Sequence, residues 1–315
     1  MPQPPVCLSL SHVRYAVGST RSAAGLHEIL RGVDFTARHG EVTVLLGPNG
    51  AGKTTALSCA QGLLRPSQGT VRLLGEDPHR ADAALRARVG VMLQDGGLPQ
   101  SVRPAVLLRH LASLHRDPWS LEDLIDRLDM ADFMQTAVRR LSGGQRQRVA
   151  LAASLIGRPE VVFLDEPSSG LDPQSRQRVF ALIEHLRDLG LGIVLTTHLL
   201  EEAQNLADAV AILKDGEVVR RGTVEELTDD GRRRRLLFVA PRTLTRDELA
   251  AAPTEVTLDG GPANAPGARW AAAAIATPED LAAMTHWWSS IDLMPAEVSF
   301  EARTLEDVFW EVSAA

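Results

Sequence analysis

An α/β fold built around a parallel sheet is predicted by three features of the sequence. The run Glu41–Leu46 is apolar and rich in β-branched residues, and it stops at a glycine, as a buried strand does. Three further strand-like runs follow, at Val161–Leu164, Gly192–Thr196 and Ala209–Leu213. An amphipathic helix near Val179–Leu189 separates the first two of them. Strands that alternate with helices favour parallel pairing through crossover connections.

The elements of the first hundred residues follow from the periodicity of their apolar side chains. Alternation predicts short strands at Val6–Arg14 and Leu30–Thr36, and compact apolar runs predict strands at Val71–Leu74 and Val89–Leu93. Between these pairs, helical spacing predicts a helix that starts near Lys53 and ends at Arg65-Pro66.

The middle of the chain is predicted to be helical. Apolar residues recur at helical spacing over about Ser101–Met134. Ser142 is a favourable N-cap for a further helix, which Gly157 and Pro159 close. After the last strand-like run, the Asp-Gly pair inside Lys214–Glu217 predicts a hairpin turn.

A change of composition near Thr228–Gly231 predicts a domain boundary. The four arginines Arg232–Arg235 follow it, and a helix is predicted near Glu279–Ile291. Four of the five tryptophans also lie in this last part, namely Trp270, Trp287, Trp288 and Trp310. We therefore expect a nucleotide-binding domain at 1–230 and a C-terminal accessory or regulatory domain at 231–315.

Composition limits the classes of function. The formal net charge of −7 argues against a general nucleic-acid-binding surface. Two cysteines, Cys7 and Cys59, predict no disulfide framework and favour a reducing compartment. The first residues do not resemble a signal peptide, and the longest uncharged runs fall well short of the roughly 20 residues of a membrane span. Any membrane role would therefore require a partner.

A phosphate-binding loop is predicted between the Glu41–Leu46 strand and the following helix. The spacing Gly-x-x-x-x-Gly-Lys-Thr ends at Lys53 and Thr54. Glycines let backbone N–H groups turn toward phosphate oxygens, and the start of the helix adds its positive dipole end. Lys53 supplies a charge to the β and γ phosphates, and the Thr54 hydroxyl would bind Mg²⁺. The predicted contacts are Gly47, Pro48, Asn49, Gly50, Ala51, Gly52, Lys53, Thr54 and Thr55.

Two carboxylates follow the strand Val161–Leu164. Asp165 is placed at the strand end, where it would lie beside the bound Mg²⁺. Glu166 comes next and would orient or polarise the attacking water. Both assignments depend on the phosphate-binding loop, because a strand that ends in Asp-Glu is by itself commonly a solvated strand end.

A second anion site is predicted at the helix that Ser142 caps. The pentapeptide Leu141-Ser142-Gly143-Gly144-Gln145 resembles the signature of ATP-binding cassette (ABC) proteins. A serine cap and two glycines at a helix N-terminus suit an anion. One nucleotide does not need two phosphate sites from a single chain. In the family the resemblance points to, the signature of one subunit closes over the nucleotide bound by the other.

Other family motifs occur in the family's order. Gln94 matches the glutamine that contacts Mg²⁺ and water, and Ser169–Asp172 resembles the loop that communicates across the dimer. His198 matches the histidine that contacts the γ-phosphate. Tyr15 occupies the place of an aromatic that stacks on adenine, although it is equally an ordinary strand residue. The segment Gly18–His27 looks like an additional loop, which leaves the alignment of Tyr15 open.

The resemblance covers about residues 6–228 and implies a fold and a function. The fold is a P-loop NTPase of the ABC type, with a mixed, largely parallel sheet, an antiparallel β subdomain and a helical subdomain, plus a small C-terminal α+β domain. The function is ATP binding and hydrolysis with Mg²⁺. The implied partners are a second copy of the chain and separate transmembrane permease subunits, so the chain would lie in the cytoplasm, peripheral to the inner face of the cell membrane.

The transported cargo and direction are less closely constrained. Residues Leu305–Phe309 read Leu-Glu-Asp-Val-Phe, which looks like the ending of bacterial drug, polysaccharide and haem-type exporter ATPases, including the daunorubicin-resistance type. This resemblance favours a multidrug or small-molecule exporter. The same residues also suit a short helix packed on the C-terminal domain. An importer subunit and a soluble ATP-dependent switch protein remain alternatives. Trp287 and Trp288 suit either a partner contact or a domain core.

Overall fold

The computed structural model describes residues 4–18, 26–92, 97–228, 234–260, 266–275, 277–301 and 304–314. The chain divides into two compact units, Met1–Val224 and Glu225–Ala315. The boundary predicted after residue 230 therefore lies six residues beyond the division between the units.

The first unit is organised around a sheet with the strand order β5-β6-β7-β3-β8-β9 within the described residues. Its strands are β3 (Val42–Leu46), β5 (Val89–Met92), β6 (Val161–Asp165), β7 (Gly192–Thr197), β8 (Ala209–Lys214) and β9 (Glu217–Gly222). Neighbouring strands from β5 to β8 are parallel, and β9 pairs antiparallel with β8. Every residue of β3, β6 and β7 is buried, which explains their continuous apolar runs.

A second, antiparallel sheet of the same unit has the order β2-β1-β4 in the described chain. Its strands are β1 (Val6–Gly18), β2 (Leu26–Arg38) and β4 (Gln68–Leu73). The pairing of β1 with β2 continues to Gly18 and Leu26, the last described residues on either side of the connection. The predicted additional loop therefore includes strand residues at both ends, while residues 19–25 lie outside the described part.

Helices pack around the main sheet and form a subdomain after β5. They are α1 (Lys53–Ala60), α2 (Ala83–Ala87), α3 (Pro104–Ser113), α4 (Leu121–Arg127), α5 (Gly143–Leu155), α6 (Pro173–Asp188) and α7 (Leu200–Leu206). A further helix, α8 (Val224–Thr228), follows at the division between the two units. Short 3₁₀ helices occur at Pro78–Arg80, Ala131–Phe133 and Val138–Arg140. The predicted helical region 101–134 thus contains α3 and α4, interrupted by the segment that contains Trp119.

The predicted end of the first helix was wrong. Helix α1 ends at Ala60, not at Arg65-Pro66. Gly62 has a φ of +78°, and a Cβ there would lie 2.3 Å from the carbonyl oxygen of Pro78. The chain turns at this glycine because only a residue without a side chain fits, so Leu63 lies outside the helix and is 66% exposed.

The second unit has an antiparallel sheet with the order β11-β12-β10-β13 among the described residues. Its elements are β10 (Arg234–Ala240), α9 (Arg246–Ala250), β11 (Val256–Gly260), β12 (Ala268–Ile275), α10 (Pro278–Ser290), β13 (Glu297–Glu301) and α11 (Leu305–Ala314). The ring of Phe238 makes edge-on contacts with Trp287 and Trp288, at centroid distances of 6.0 and 5.3 Å. These two tryptophans are core residues, which decides between the two interpretations of the pair.

The end of the chain packs within the second unit as well. Leu305 and Val308 of α11 are buried, whereas Trp310 is 60% exposed. Of the Arg232–Arg235 run, the side chain of Arg235 is described, and it pairs with Asp259 and Asp307. No helix of the described residues has the length and apolar character needed to cross a bilayer.

Candidate nucleotide-binding site

The loop between β3 and α1 has the backbone shape of a phosphate cradle. Gly50 and Gly52 have φ values of +84° and +105°, in the left-handed region that favours glycine. A Cβ at Gly47 would lie 2.3 Å from the carbonyl oxygen of Leu213 on the neighbouring strand. Helix α1 starts immediately after the loop, at Lys53, and presents its N-terminal N–H groups to the same space. Anion binding by the backbone follows from this arrangement.

Lys53 lies inside the loop that it closes. The side chain is 8% exposed, and Nζ donates hydrogen bonds to the carbonyl oxygens of Gly47 (2.6 Å) and Pro48 (3.1 Å). Burial lowers the pKa of the Lys53 ammonium, and the nearby carboxylates of Glu166 and Asp165 oppose that shift. The ammonium is therefore fixed at the cradle by its own loop.

Asp165 and Glu166 emerge from β6 beside this lysine. Asp165 is the last residue of the strand, it is buried, and its Oδ1 accepts a hydrogen bond from the hydroxyl of Thr196 on β7. Glu166 has a φ of +50°, and its N–H donates to the carbonyl oxygen of Thr196 over 3.0 Å. Its Oε1 lies 2.9 Å from Nδ1 of His198. The first residues after two neighbouring strands thus meet at one edge of the sheet.

A cleft of about 420 Å³ brings the predicted phosphate residues together with the two carboxylates. The predicted residues that line it are Asn49, Gly50, Gly52, Lys53, Thr54, Thr55, Asp165 and Glu166. The cleft lies outside the carboxyl ends of parallel strands, where α/β proteins commonly bind ligands. The structure thus brings eight of the predicted site residues together at one cleft.

Residues that sequence reasoning missed also line this cleft. They are His27, Glu28, Ile29 and Arg31 of β2 and Asp215 and Gly216 of the β8–β9 turn. The N–H of Arg31 donates to the carbonyl oxygen of Gly216 over 2.9 Å, and the N–H of Gly216 donates to that of Ala51 over 3.1 Å. The available sequence signal was the Asp215-Gly216 pair, which predicts the turn between β8 and β9. The turn can approach β2 because Gly216 has no side chain: a Cβ there would lie 2.3 Å from the carbonyl oxygen of Ile29.

Several other predicted residues do not line the cleft of their own chain. Ser142 caps α5 in a reciprocal capping box with Gln145, with distances of 3.0 and 3.2 Å. Gly143 is exposed and Gly144 is half-buried. Asp172 caps α6 and accepts hydrogen bonds from the N–H and hydroxyl of Ser175, at 2.9 and 2.6 Å. The signature helix and this cap are thus well formed away from the cleft.

Two further predicted residues need separate comment. Tyr15 is half-buried on β1, packs against the core of the first unit and is not among the residues that line the cleft. Its contact with adenine stays a prediction. Gln94 lies outside the described residues. Its contact with Mg²⁺ and water also stays a prediction.

The chemistry of the cleft suits a magnesium nucleotide. No group of three or more His, Cys, Asp or Glu side chains that could by itself bind a metal ion occurs in the described ranges. Mg²⁺ in nucleotide sites is commonly bound by one or two protein groups together with phosphate oxygens and water. The exposed hydroxyl of Thr54 and the carboxylate of Asp165 are oxygen ligands of this kind on one wall of the cleft.

Comparison with known proteins decides the family. A family model described as ABC transporter matches residues 30–169. The ABC transporter ATP-binding protein NatA of Bacillus subtilis (strain 168) is 35% identical over 223 residues, which cover 69% of this chain and 91% of NatA. This chain belongs to the ABC transporter family of ATP-binding proteins. The predicted family and fold class are confirmed.

The ABC cassette of this chain is also similar to a drug-resistance protein and to a solved dimer. The daunorubicin resistance ATP-binding protein DrrA3 of Streptomyces coeruleorubidus is 40% identical over 208 residues, or 64% of this chain and 66% of DrrA3, just under two thirds of that relative. A dimeric post-hydrolysis structure of the ATP-binding cassette MJ0796, bound to ADP and Pi, has a TM-score of 0.60 and 26% identity. It covers 69% of this chain and 98% of MJ0796.

Proposed function

We propose that this chain is the ATP-hydrolysing subunit of an ABC exporter for a drug-like small molecule, and that it works as a homodimer on separate membrane permease subunits. One observation carries the proposal. The chain has two glycine-flanked helix N-termini suited to phosphate, α1 after Gly52 and α5 after Ser142, and the second does not line the cleft that contains the first.

In a dimer, the signature helix α5 of one subunit would contact the nucleotide that the other subunit binds. Each nucleotide would lie between the Lys53 loop of one subunit and the Ser142–Gln145 segment of its partner. The dimeric MJ0796 cassette with bound ADP and Pi supports this arrangement, since 98% of that chain is matched here. Two ATP molecules would thus close the dimer, and hydrolysis would let it reopen.

Different residues of one subunit have different roles in ATP hydrolysis. Lys53 and the N–H groups of the loop bind the phosphates, and Thr54 and Asp165 would bind Mg²⁺, which when bound neutralises charge on the phosphate oxygens. Glu166 orients the attacking water and accepts its proton. His198, at 2.9 Å from Glu166, orients that carboxylate and reaches toward the γ-phosphate. Gln94 would add a contact to the same metal and water.

Glu166→Gln tests the assignment of the catalytic carboxylate. The variant keeps the size of the side chain and loses the base, so ATP turnover should fall by on the order of 10²–10⁴-fold. ATP should still bind and should hold the dimer together, as measured by light scattering. Exposed Glu184 on α6 supplies the matched control, Glu184→Gln. Near-normal turnover by Glu166→Gln would refute the proposal.

Lys53→Ala tests the cradle itself. Loss of the buried ammonium should abolish nucleotide binding and, with it, ATP-dependent dimerisation. Arg65→Ala, which removes an exposed cation outside the cleft, is the control. An unchanged ATP affinity in Lys53→Ala would contradict the role of the loop.

The exporter proposal is supported by the similarity to DrrA3 and by the Leu305–Phe309 motif. It locates the protein on the inner face of the cell membrane through its permease. The test is co-expression with a candidate permease, namely a neighbouring gene's product if it has apolar spans of membrane length, followed by co-purification in detergent and measurement of daunorubicin accumulation in cells. Lower accumulation with wild type than with Glu166→Gln is expected. Dependence of uptake on an external solute-binding protein would indicate an importer, and absence of any membrane partner would indicate a soluble switch.

A further inference from the structure

Gln147 joins the signature helix directly to the catalytic glutamate. It is the fifth residue of α5, and its Nε2 donates a hydrogen bond to the backbone carbonyl oxygen of Glu166 over 2.6 Å. The two residues are 19 positions apart in the sequence, so the bond links two separate elements. Gln147 has no part in nucleotide binding or hydrolysis as described so far.

The peptide of Glu166 is constrained at both ends by such bonds. Its φ of +50° lies in the left-handed region, which residues other than glycine rarely adopt. The N–H donates to Thr196, and the carbonyl oxygen accepts from the N–H of Ser169 (3.1 Å) as well as from Gln147. The backbone sets the point from which the Glu166 side chain leaves the chain, and the 2.9 Å contact with Nδ1 of His198 holds its carboxylate. Loss of the Gln147 bond removes a restraint at an unfavourable backbone conformation.

The signature residues lie at the N-terminal end of the same helix, about one turn before Gln147. Gly143 is the first residue of α5, so the rise of about 1.5 Å per residue places Gln147 only about 6 Å along the axis. The capping box of Ser142 with Gln145 fixes the first turn, and Arg146 donates to the carbonyl oxygen of Leu141 over 2.7 Å. A displacement of the signature end must therefore be transmitted to Gln147 within the same rigid segment.

We propose that Gln147 is a positioning residue that couples the two ATP sites of the dimer. This role rests on the proposed function. In that dimer, the start of α5 completes the partner's ATP site, whereas Glu166 of the same subunit acts at the ATP site of its own subunit. Nucleotide at the partner's site docks on the start of α5, and Gln147 then sets the Glu166 peptide for hydrolysis. Each site consequently works at full rate only when the other is occupied.

Gln147→Met removes the donor at nearly constant side-chain length. ATP affinity and ATP-dependent dimerisation are expected to stay within about twofold of wild type, since Gln147 does not line the cleft. The maximal turnover should fall about tenfold or more, and the Hill coefficient for ATP hydrolysis should drop from above 1 toward 1. Gln147→Lys, which retains an N–H donor, should recover part of both. Exposed Gln177 on α6 supplies the control Gln177→Met.

Mixed dimers test in which subunit Gln147 acts, and the Hill coefficient distinguishes coupling from a purely local role. One subunit carries Glu166→Gln, so that only the other subunit's glutamate works. Gln147→Met should lower turnover when placed in the subunit with the working glutamate, and should have little effect in the other subunit. Equal loss in both placements would overturn the proposal, as would lost turnover with an unchanged Hill coefficient or a wild-type coefficient of 1.

The controls also distinguish failure of this inference from failure of the proposed function. If Glu166→Gln abolishes turnover and Gln147→Met matches wild type in both turnover and Hill coefficient, the coupling role is wrong and the ATPase assignment stands. If Glu166→Gln itself turns over normally, the proposed function is wrong. Thermal unfolding of each variant identifies any that fails to fold, and Gln147→Lys then supplies the test.

Discussion

Nδ1 of the His198 imidazole lies 2.9 Å from Oε1 of the Glu166 carboxylate. The two residues follow β7 and β6, which are adjacent and parallel, with Asp165 paired to Thr196 in register. Their side chains therefore leave the sheet at the same edge. The side chain of Glu166 is 10% exposed and that of His198 is 50% exposed, so the histidine forms the outer member of the pair.

His198→Ala should lower the maximal rate of ATP hydrolysis by on the order of 10²-fold, because the carboxylate loses the partner that orients it. The KM for ATP should change much less, since Lys53 and the loop provide most of the binding. Steady-state kinetics of the purified protein measures both. His286→Ala, at an exposed position of α10, serves as the control. A variant with unchanged maximal rate would exclude this role for His198.

Gly143→Ala and Gly144→Ala form a matched pair on the signature helix. A Cβ at Gly143 meets nothing within 4 Å in the same subunit, whereas one at Gly144 would lie 3.0 Å from Cδ2 of buried Leu171. Gly143→Ala should therefore keep or raise the melting temperature, because alanine favours a helix by up to about 1 kcal/mol. ATP-dependent dimerisation should nevertheless be lost, because the partner's nucleotide must approach this surface.

Circular dichroism melting and light scattering with ATP check the two outcomes. Gly144→Ala should be less stable than Gly143→Ala, since Leu171 must move. Normal dimerisation of Gly143→Ala would count against a composite site.

Glu202→Gln should stabilise the protein at neutral pH. Glu202 on α7 is 2% exposed, and burial raises the pKa of its carboxyl above the ordinary value of 4.5. The hydroxyls of Thr197 and Ser168 and the guanidinium of Arg176 oppose the shift, although neither carboxylate oxygen has a partner with hydrogen-bond geometry among the described residues. A raised pKa in the folded state means that stability falls as the pH rises from about 4.5 toward that higher value.

At pH values above that range, the melting temperature of Glu202→Gln should therefore exceed that of wild type by a few degrees. The difference should shrink as the pH falls toward 4.5. Melting curves between pH 4.5 and 8 measure it. The neighbouring Glu201 is exposed, so Glu201→Gln should show no such trend. A Glu202→Gln variant that is less stable than wild type at every pH would contradict the burial argument.

Glu248 should stabilise the C-terminal unit with the opposite pH dependence. Its carboxylate accepts hydrogen bonds from the Arg242 guanidinium at 2.8 and 3.2 Å and from the N–H of Thr245 at 2.8 Å. The hydrogen bond from Arg242 is the main cause that lowers the pKa of Glu248 from 4.5 to about 2. This stabilisation is fully present above pH 4.5 and is lost as the pH falls toward 2.

Glu248→Gln should destabilise the unit at pH 7 and should remove part of the loss of stability on acidification. Tryptophan fluorescence follows the transition, because Trp270, Trp287 and Trp288 are buried in this unit's core. Glu255→Gln, at an exposed position, is the control. An acid transition that is identical in Glu248→Gln and wild type would show that this ion pair makes no contribution.

The motifs and most strands could be predicted because their signals are local. The continuous apolar run of β3 and the glycines and lysine after it specify a strand, a phosphate-binding loop and a helix start within fourteen residues of sequence, 41–54. The serine cap of α5 was equally local, and the structure has it in the predicted place. The end of α1 was not local, since the carbonyl of Pro78 excludes any side chain at Gly62.

By itself the sequence determined the family, the phosphate-binding loop, the strand that ends at Asp165 and the signature helix, since each depends on residues within a few positions of one another. Only the tertiary structure decided what meets at the cleft. It placed β2 and the β8–β9 turn at the same cleft as Lys53, left Tyr15 against the core and buried Trp287 and Trp288. It also joined Gln147 to Glu166. Such contacts depend on strand order and packing between distant segments, and no short stretch of sequence encodes them.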